Sequence, residues 1–266
     1  MKAAPWILCF LTAAIPLRAE SVNVAAASDL NFAVQEIIKS FEHNTGNTVR
    51  LTLGSSGNFY AQILNGAPFD VFLSADMDYP KRLERQGYSV PGSTFTYGVG
   101  RLALWVPNRS SLDLDKIGMN ALLDDSIRKI AIANPEHAPY GRAAVAALEH
   151  TKLYDRVKGK LVLGENVSQA AQFVQSGAAD AGIVAMSIAL SRPMRDAGRY
   201  WAVPADTYPR LEQAAVLLKH AGPVGKAFHE WLHSAEARGI FDNYGFAASR
   251  EARQGVLPQP RSGVRR

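Results

Sequence analysis

The sequence predicts an α/β protein of two lobes joined by two crossovers. Strand-like and helix-like patterns alternate along the whole chain. The middle segment holds a complete βαβ pattern of its own, so it can fold as a second lobe inserted into the first. Serine-bearing turns stand where apolar strands run into amphipathic helices.

Residues 22–27 read as a buried strand, and from there Leu30, Ala33, Val34, Ile37, Ile38 and Phe41 follow the i, i+3, i+4, i+7 spacing of a helix. Ser28, in AAASDL at 25–30, is therefore expected at or beside an N-cap. There a hydroxyl, unpaired peptide N–H groups and the positive end of a helix dipole meet. Residues 49–53, followed by a helix through Tyr60, Ile63 and Leu64, repeat the plan around Ser55 and Ser56 in LGSSGN. Residues 69–74 form a strand running into Asp76 and Asp78, with Pro80 at a helix start. Strands at 102–106 and 130–133 precede an alanine-rich helix at 141–153. Strand 160–163, helix 167–175 and strand 181–184 make the inner βαβ unit, and strand 214–219 and helix 224–235 close the pattern. Residues 96–101 and 205–210 read as linkers. The first lobe is thus expected at 20–100 with a return at 208–248, the second at 101–207, and a tail at 249–266.

Residues 1–19 read as an export signal: Lys2, an apolar stretch over 5–17, and Leu17-Arg18-Ala19 before Glu20. The apolar run falls short of the roughly 20 residues of a membrane span. The single cysteine, Cys9, lies inside this leader, where Ile7, Leu8 and the apolar residues after it do not make a lipid-attachment site. The remaining chain has no thiol for a disulfide, nucleophile or metal site. Lysine and arginine number 29 against 24 acidic residues, a net charge of +5. Lys2 and Arg18 belong to the leader, and the tail sets Arg250, Arg253, Arg261, Arg265 and Arg266 against Glu251 alone. The folded body is close to neutral, which excludes the basic face that nucleic-acid binding needs. The tail has no apolar periodicity and reads as a disordered, solvated extension.

One serine turn is ordinary helix capping, worth about 1 kcal/mol. Two in one domain, each at a strand C-terminus, read as an anion cradle. Two further turns strengthen this reading. In ANPEHAPYGR at 133–142, Pro139 and Gly141 leave the Tyr140 N–H pointing outward, and GENVSQA at 164–170 sets the Val167 N–H at a helix start. None of the four turns carries lysine or arginine except Arg142, inside the following helix. Neutral donors suffice for a divalent anion if there are several, at roughly 1.5–3 kcal/mol per charged hydrogen bond against the ~8 kcal/mol of micromolar affinity. A pocket of donors alone also favours fully ionised oxyanions.

HEWLH at 229–233 matches the zinc-protease pattern H-E-x-x-H. Val224, Phe228, Trp231, Leu232 and Ala235 form the apolar stripe of that helix, which sets His229 and His233 towards solvent, and no third ligand is evident. His137 reads as a structural hydrogen-bonding residue near the cleft. Asp70, Asp76 and Asp180 read as turn and capping residues. No nucleophile elbow or phosphate loop occurs, and catalysis is not expected.

The ordered set AAASDL, LGSSGN, GAPFDVFLSAD (66–76), NPEHAPYG (134–141), GENV (164–167), DAGIV (180–184) and IFDNYGF (240–246) resembles the periplasmic molybdate-binding proteins of bacterial ABC transporters, from Val22 to about Phe246. The resemblance implies a type II periplasmic-binding-protein fold holding molybdate or tungstate between its lobes. It further implies a periplasmic, monomeric receptor, without a cofactor, that serves a permease and its ATPase. The family's serines fall on Ser28 and on Ser56, with Ser55 as the register alternative, and its backbone donors on Tyr140 and Val167. Many members carry a tyrosine donor where this chain has Ala185, and the Tyr140 hydroxyl is the expected substitute. The alternatives are a receptor for another oxyanion such as sulfate, and a secreted zinc hydrolase built on HEWLH.

Overall fold

The computed structural model describes residues 20–246; the expected leader at 1–19 and tail at 249–266 lie outside the described residues. Strand β1 (Ser21–Ala27) leads through a short 3₁₀ turn, Ser28–Leu30, into helix α1 (Asn31–Thr45). Then follow β2 (Thr48–Gly54), α2 (Ser56–Leu64), β3 (Val71–Ser74), α3 (Asp78–Arg85) and β4 (Phe95–Gly100). The inserted stretch runs β5 (Leu102–Pro107), α4 (Leu114–Ile117), β6 (Ile130–Ala133), α5 (Pro139–His150), α6 (Tyr154–Val157), β7 (Leu161–Gly164), α7 (Val167–Ser176), β8 (Ala181–Ala185), α8 (Met186–Ala189), α9 (Arg192–Ala197) and β9 (Gly198–Ala202). The chain returns with β10 (Leu211–Leu217), α10 (Pro223–Trp231) and α11 (Ala235–Asn243).

These strands form two five-stranded sheets, ordered β2-β1-β3-β10-β4 and β7-β6-β8-β5-β9. In the first, β1 pairs in parallel with β2 and β3, and only β10 runs against its neighbours. In the second, β6 is parallel to β7 and β8, and only β5 is reversed. Each sheet is therefore mostly parallel, and each reversed strand is the first one the chain enters after crossing between sheets. Parallel central strands are covered on both faces, and β1 shows it: Val22, Val24, Ala25 and Ala26 are fully buried. Helix α1 packs Phe41 edge-on to Phe228 of α10, with ring centroids 5.1 Å apart, and ends at Gly46 in the left-handed region at φ +70°.

The stretch read as a linker at 96–101 is strand over most of its length. Its glycines are packing residues: a Cβ on Gly98 would lie 2.8 Å from Phe246, and one on Gly100 2.4 Å from both the Tyr140 hydroxyl and Gln213 Nε2. Arg101 alone separates β4 from β5. The other expected linker contains the single turn Ala205–Thr207. Strand β9 had no sequence signal, and the late helix breaks after Trp231 and restarts at Ala235, where Ser234 accepts the Ala237 N–H at 3.1 Å. Ala235, expected in the buried stripe, is exposed as a result.

Trp105 anchors the second sheet: it is fully buried on β5 and donates from Nε1 to the Met194 carbonyl at 3.2 Å. Trp105→Ala is expected to lower the unfolding free energy by about 3–5 kcal/mol, read from the midpoint of a urea denaturation curve.

Candidate functional site

The C-terminal ends of β1 and β2 face those of β6 and β7 across the gap between the sheets, and the helices that begin there supply the site. A small cavity between them is bordered by Ser28, Asp29, Ser55, Ser56, Tyr140, Asn166 and Val167. Ser28, Ser56, Tyr140 and Val167 come to it from both lobes, and the lobes are closed upon one another. The Gly57 N–H donates to the His137 carbonyl at 2.9 Å, and Ser168 Oγ to the Ser28 carbonyl at 2.8 Å. Ser187 Oγ donates to the Asp29 carbonyl at 2.8 Å, and Arg142 pairs with Asp76 at 2.7 Å.

The first turn of a helix leaves peptide N–H groups without intrahelical acceptors, and each can be followed. In α2, Gly57 bonds His137 across the cleft, Asn58 bonds Ser55 Oγ at 3.4 Å and Phe59 bonds the Ser55 carbonyl at 3.2 Å. In α5, Pro139 has no N–H, while Gly141 and Arg142 both bond the Ala138 carbonyl. In α7, Ser168 bonds Ser28 Oγ at 3.3 Å, Gln169 bonds Asn166 Oδ1 at 3.1 Å and Ala170 bonds the Asn166 carbonyl at 3.1 Å. Among the described residues this accounting leaves one N–H at each start: that of Ser56, Tyr140 and Val167. All three residues border the cavity.

The hydroxyls obey a matching rule. Ser56 Oγ accepts the Ala75 N–H at 2.9 Å and Ser28 Oγ accepts that of Ser168, so each has its acceptor side occupied and its proton left to donate. Ser28 stands beside the cap residue Ala27, as expected, as the first residue of the 3₁₀ turn, and its hydroxyl serves the start of α7 in the other lobe. Ser55 is the N-cap of α2, and its hydroxyl is also 2.9 Å from His137 Nδ1. The two neighbouring serines thus divide into a cap and a donor.

The Tyr140 hydroxyl has other partners than the one expected for it. It accepts from Gln213 Nε2 at 3.0 Å, and its proton faces the Asp29 carboxyl. Burial pushes this phenol well above its ordinary range, and the neighbouring Asp29 charge adds to that. Asp29 and Gln213 escaped sequence reasoning, although Asp29 stands inside the quoted motif. Burial raises the Asp29 carboxyl from 3.8 to about 6, against the opposing pull of hydrogen bonds from Gln213 and Tyr140. Among the described residues bordering the cavity there is no lysine or arginine. Asp76, also raised by burial, accepts the Tyr79 N–H at 3.1 Å. Asp70 accepts the Asn23 N–H at 2.7 Å, and Asp180 accepts those of Arg128 and Lys129, both at 2.9 Å, as turn residues do.

In HEWLH the structure departs from expectation at His229, while His233 is exposed as expected. His229 is buried rather than solvent-facing, with Nε2 2.8 Å from the Ser93 carbonyl, and burial lowers its pKa. His233 lies against Phe95, with ring centroids 3.6 Å apart. Among the described residues no group of three or more histidine, cysteine, aspartate or glutamate side chains is placed to hold a metal ion.

Two mostly parallel sheets, crossed twice and enclosing a cleft of helix starts, define a two-lobed solute-binding protein. The chain matches the bacterial extracellular solute-binding protein family over residues 22–247, and it belongs to that family. It is 41% identical over 235 residues to the molybdate-binding protein ModA of Rhodobacter capsulatus, covering 88% of this chain and 90% of that one. To the ModA of Azotobacter vinelandii it is 39% identical over 232 residues, covering 86% and 90%. The solved structure of a periplasmic molybdate-binding protein from Azotobacter vinelandii superposes with a TM-score of 0.78 at 35% identity, covering 90% of this chain and all of that one. No helix among the described residues is long and apolar enough to cross a membrane.

Two outcomes follow from this geometry. A Cβ on Gly57 would lie 2.5 Å from the His137 carbonyl oxygen and 2.6 Å from the Tyr79 hydroxyl. Gly57→Ala is therefore expected to disfavour the closed form by about 1–3 kcal/mol, seen as a larger radius of gyration in small-angle X-ray scattering. The folded Asp29 holds its proton to about 6, well above the value of 3.8 it starts from, so its contribution to stability is lost as pH rises through that window. The stability of Asp29→Asn relative to the parent should rise across the same window in thermal melts.

Proposed function

We propose that this chain is the periplasmic receptor of an ABC transporter, capturing molybdate, and tungstate with it, between its lobes and delivering it to the permease and its ATPase. The carrying observation is the donor accounting: three helix starts from two lobes each keep one N–H for a single cavity, and Ser28 and Ser56 add hydroxyl protons. The names of the relatives at 41% and 39% identity support the choice of anion. Binding is by hydrogen bonds to the oxygens, with no protein atom on molybdenum, no cofactor and no chemical step. Residues 1–19 serve as the export leader, and the receptor acts as a monomer. Residues 20–100 and 208–248 make one lobe, and 101–207 the other.

Donors held by helix starts sit at fixed positions, so anion size discriminates. A cleft set for the larger tetrahedron leaves the oxygens of sulfate beyond good hydrogen-bond distance. Calorimetry with molybdate, tungstate, sulfate and phosphate tests the reading, and preference for sulfate or phosphate would refute it. Ser28→Ala and Ser56→Ala should each weaken molybdate binding by about 1–3 kcal/mol. Ser55→Ala should instead lower stability by about 1 kcal/mol through the lost cap, with a smaller change in affinity.

A further inference from the structure

Asp29 is the only acid bordering the cavity among the described residues, and the donor set has no use for a negative charge. It is 1% exposed. Oδ2 accepts from Gln213 Nε2 at 2.7 Å, while Oδ1 is buried without a hydrogen-bond partner.

Among the described residues its surroundings supply no compensating cation. Strand β10 presents Gln213, whose amide oxygen is taken by the Tyr97 hydroxyl of β4 at 2.8 Å. Helix α5 presents Tyr140, α8 presents Ser187 and α7 presents Ser168, while α1 carries Glu36 and Lys39 on its exposed side. Burial holds both tyrosines protonated far beyond neutral pH. At the cleft edge, His137 bonds Ser55 and lies 3.9 Å from Glu165, and Arg142 is engaged by Asp76. No cation among the described residues contributes to the proton affinity of Asp29.

We propose that Asp29 takes up one proton from solvent whenever the cavity takes a doubly charged oxyanion, so that anion capture and protonation of this buried carboxyl are a single coupled event. The inference rests on the oxyanion reading above. Two like charges in one desolvated site drive the weaker acid to bind a proton. Burial, against the hydrogen bonds that oppose it, already carries Asp29 to about 6, and a dianion in the adjoining cavity would carry it further up. The protonated carboxyl then has an O–H in place of an unpartnered anionic oxygen. In the empty protein above that pH Asp29 is ionised, so the proton must be recruited on binding. Affinity consequently falls as pH rises, by up to about tenfold per unit, and levels off below it.

The full chain titrated with sodium molybdate at pH 7.5, in two buffers of contrasting ionisation enthalpy, gives the proton count. Uptake approaching one proton per anion is expected, shrinking towards pH 5.5. Asp29→Asn should abolish the uptake and flatten the affinity between pH 6 and 8, which separates Asp29 from His137. Infrared difference spectra of the parent protein give a readout independent of the variant's folding: molybdate should convert one carboxylate band into a carboxylic acid band. Molybdate binding without uptake, uptake retained in Asp29→Asn, or no carboxylic acid band would each overturn the inference while leaving the receptor reading in place. Absence of molybdate binding would overturn both.

Discussion

The occupied lone pair is the constraint on which the cleft depends. A serine hydroxyl turns whichever way the strongest partner asks, and an anion site made of freely turning hydroxyls would lose orientational freedom on every binding event. Here Ser28 and Ser56 each receive a peptide N–H on the acceptor side, from Ser168 and Ala75, and the proton has few other directions left to it. For Ser56, whose partner belongs to its own lobe, the donor geometry exists before any ligand arrives and association is relieved of part of its ordering cost, whereas that of Ser28 is completed only when the lobes meet.

Topology explains why these groups meet. Because each sheet is mostly parallel, with one reversed strand beside a crossover, the C-terminal edges of both sheets open towards the same gap. Helices that follow strands begin at that edge, so their unsatisfied N–H groups converge there. The charge that an arginine would otherwise provide is replaced by peptide dipoles, which cannot form ion pairs elsewhere on the surface and do not titrate. The absence of lysine and arginine from the described cavity border is in keeping with this choice.

Much of this was legible in the residues. Strand–helix alternation gave the class of fold, and β1, α1, β6 and α7 begin within a residue of where periodicity sets them. What stayed hidden depends on partners distant in sequence. The bond that Ser28 accepts from Ser168 gave no signal, since the two lie 140 residues apart. Gln213 carried no signal, since its partner Asp29 is 184 residues away. The glycines of β4 imitate turn signals, and their true neighbours, Phe246 and Tyr140, come from other elements. His229 fell on the polar side of a helical wheel yet is covered by Phe95 and the Ser93 carbonyl.

The exchange between Ser28 and Ser168 has a further consequence. Ser168 gives its hydroxyl proton to the carbonyl of Ser28 and its peptide N–H to the hydroxyl, so each lobe finishes a turn that belongs to the other. Both turns are complete only while the lobes are together, so the finished geometry of either lobe is a property of the closed pair.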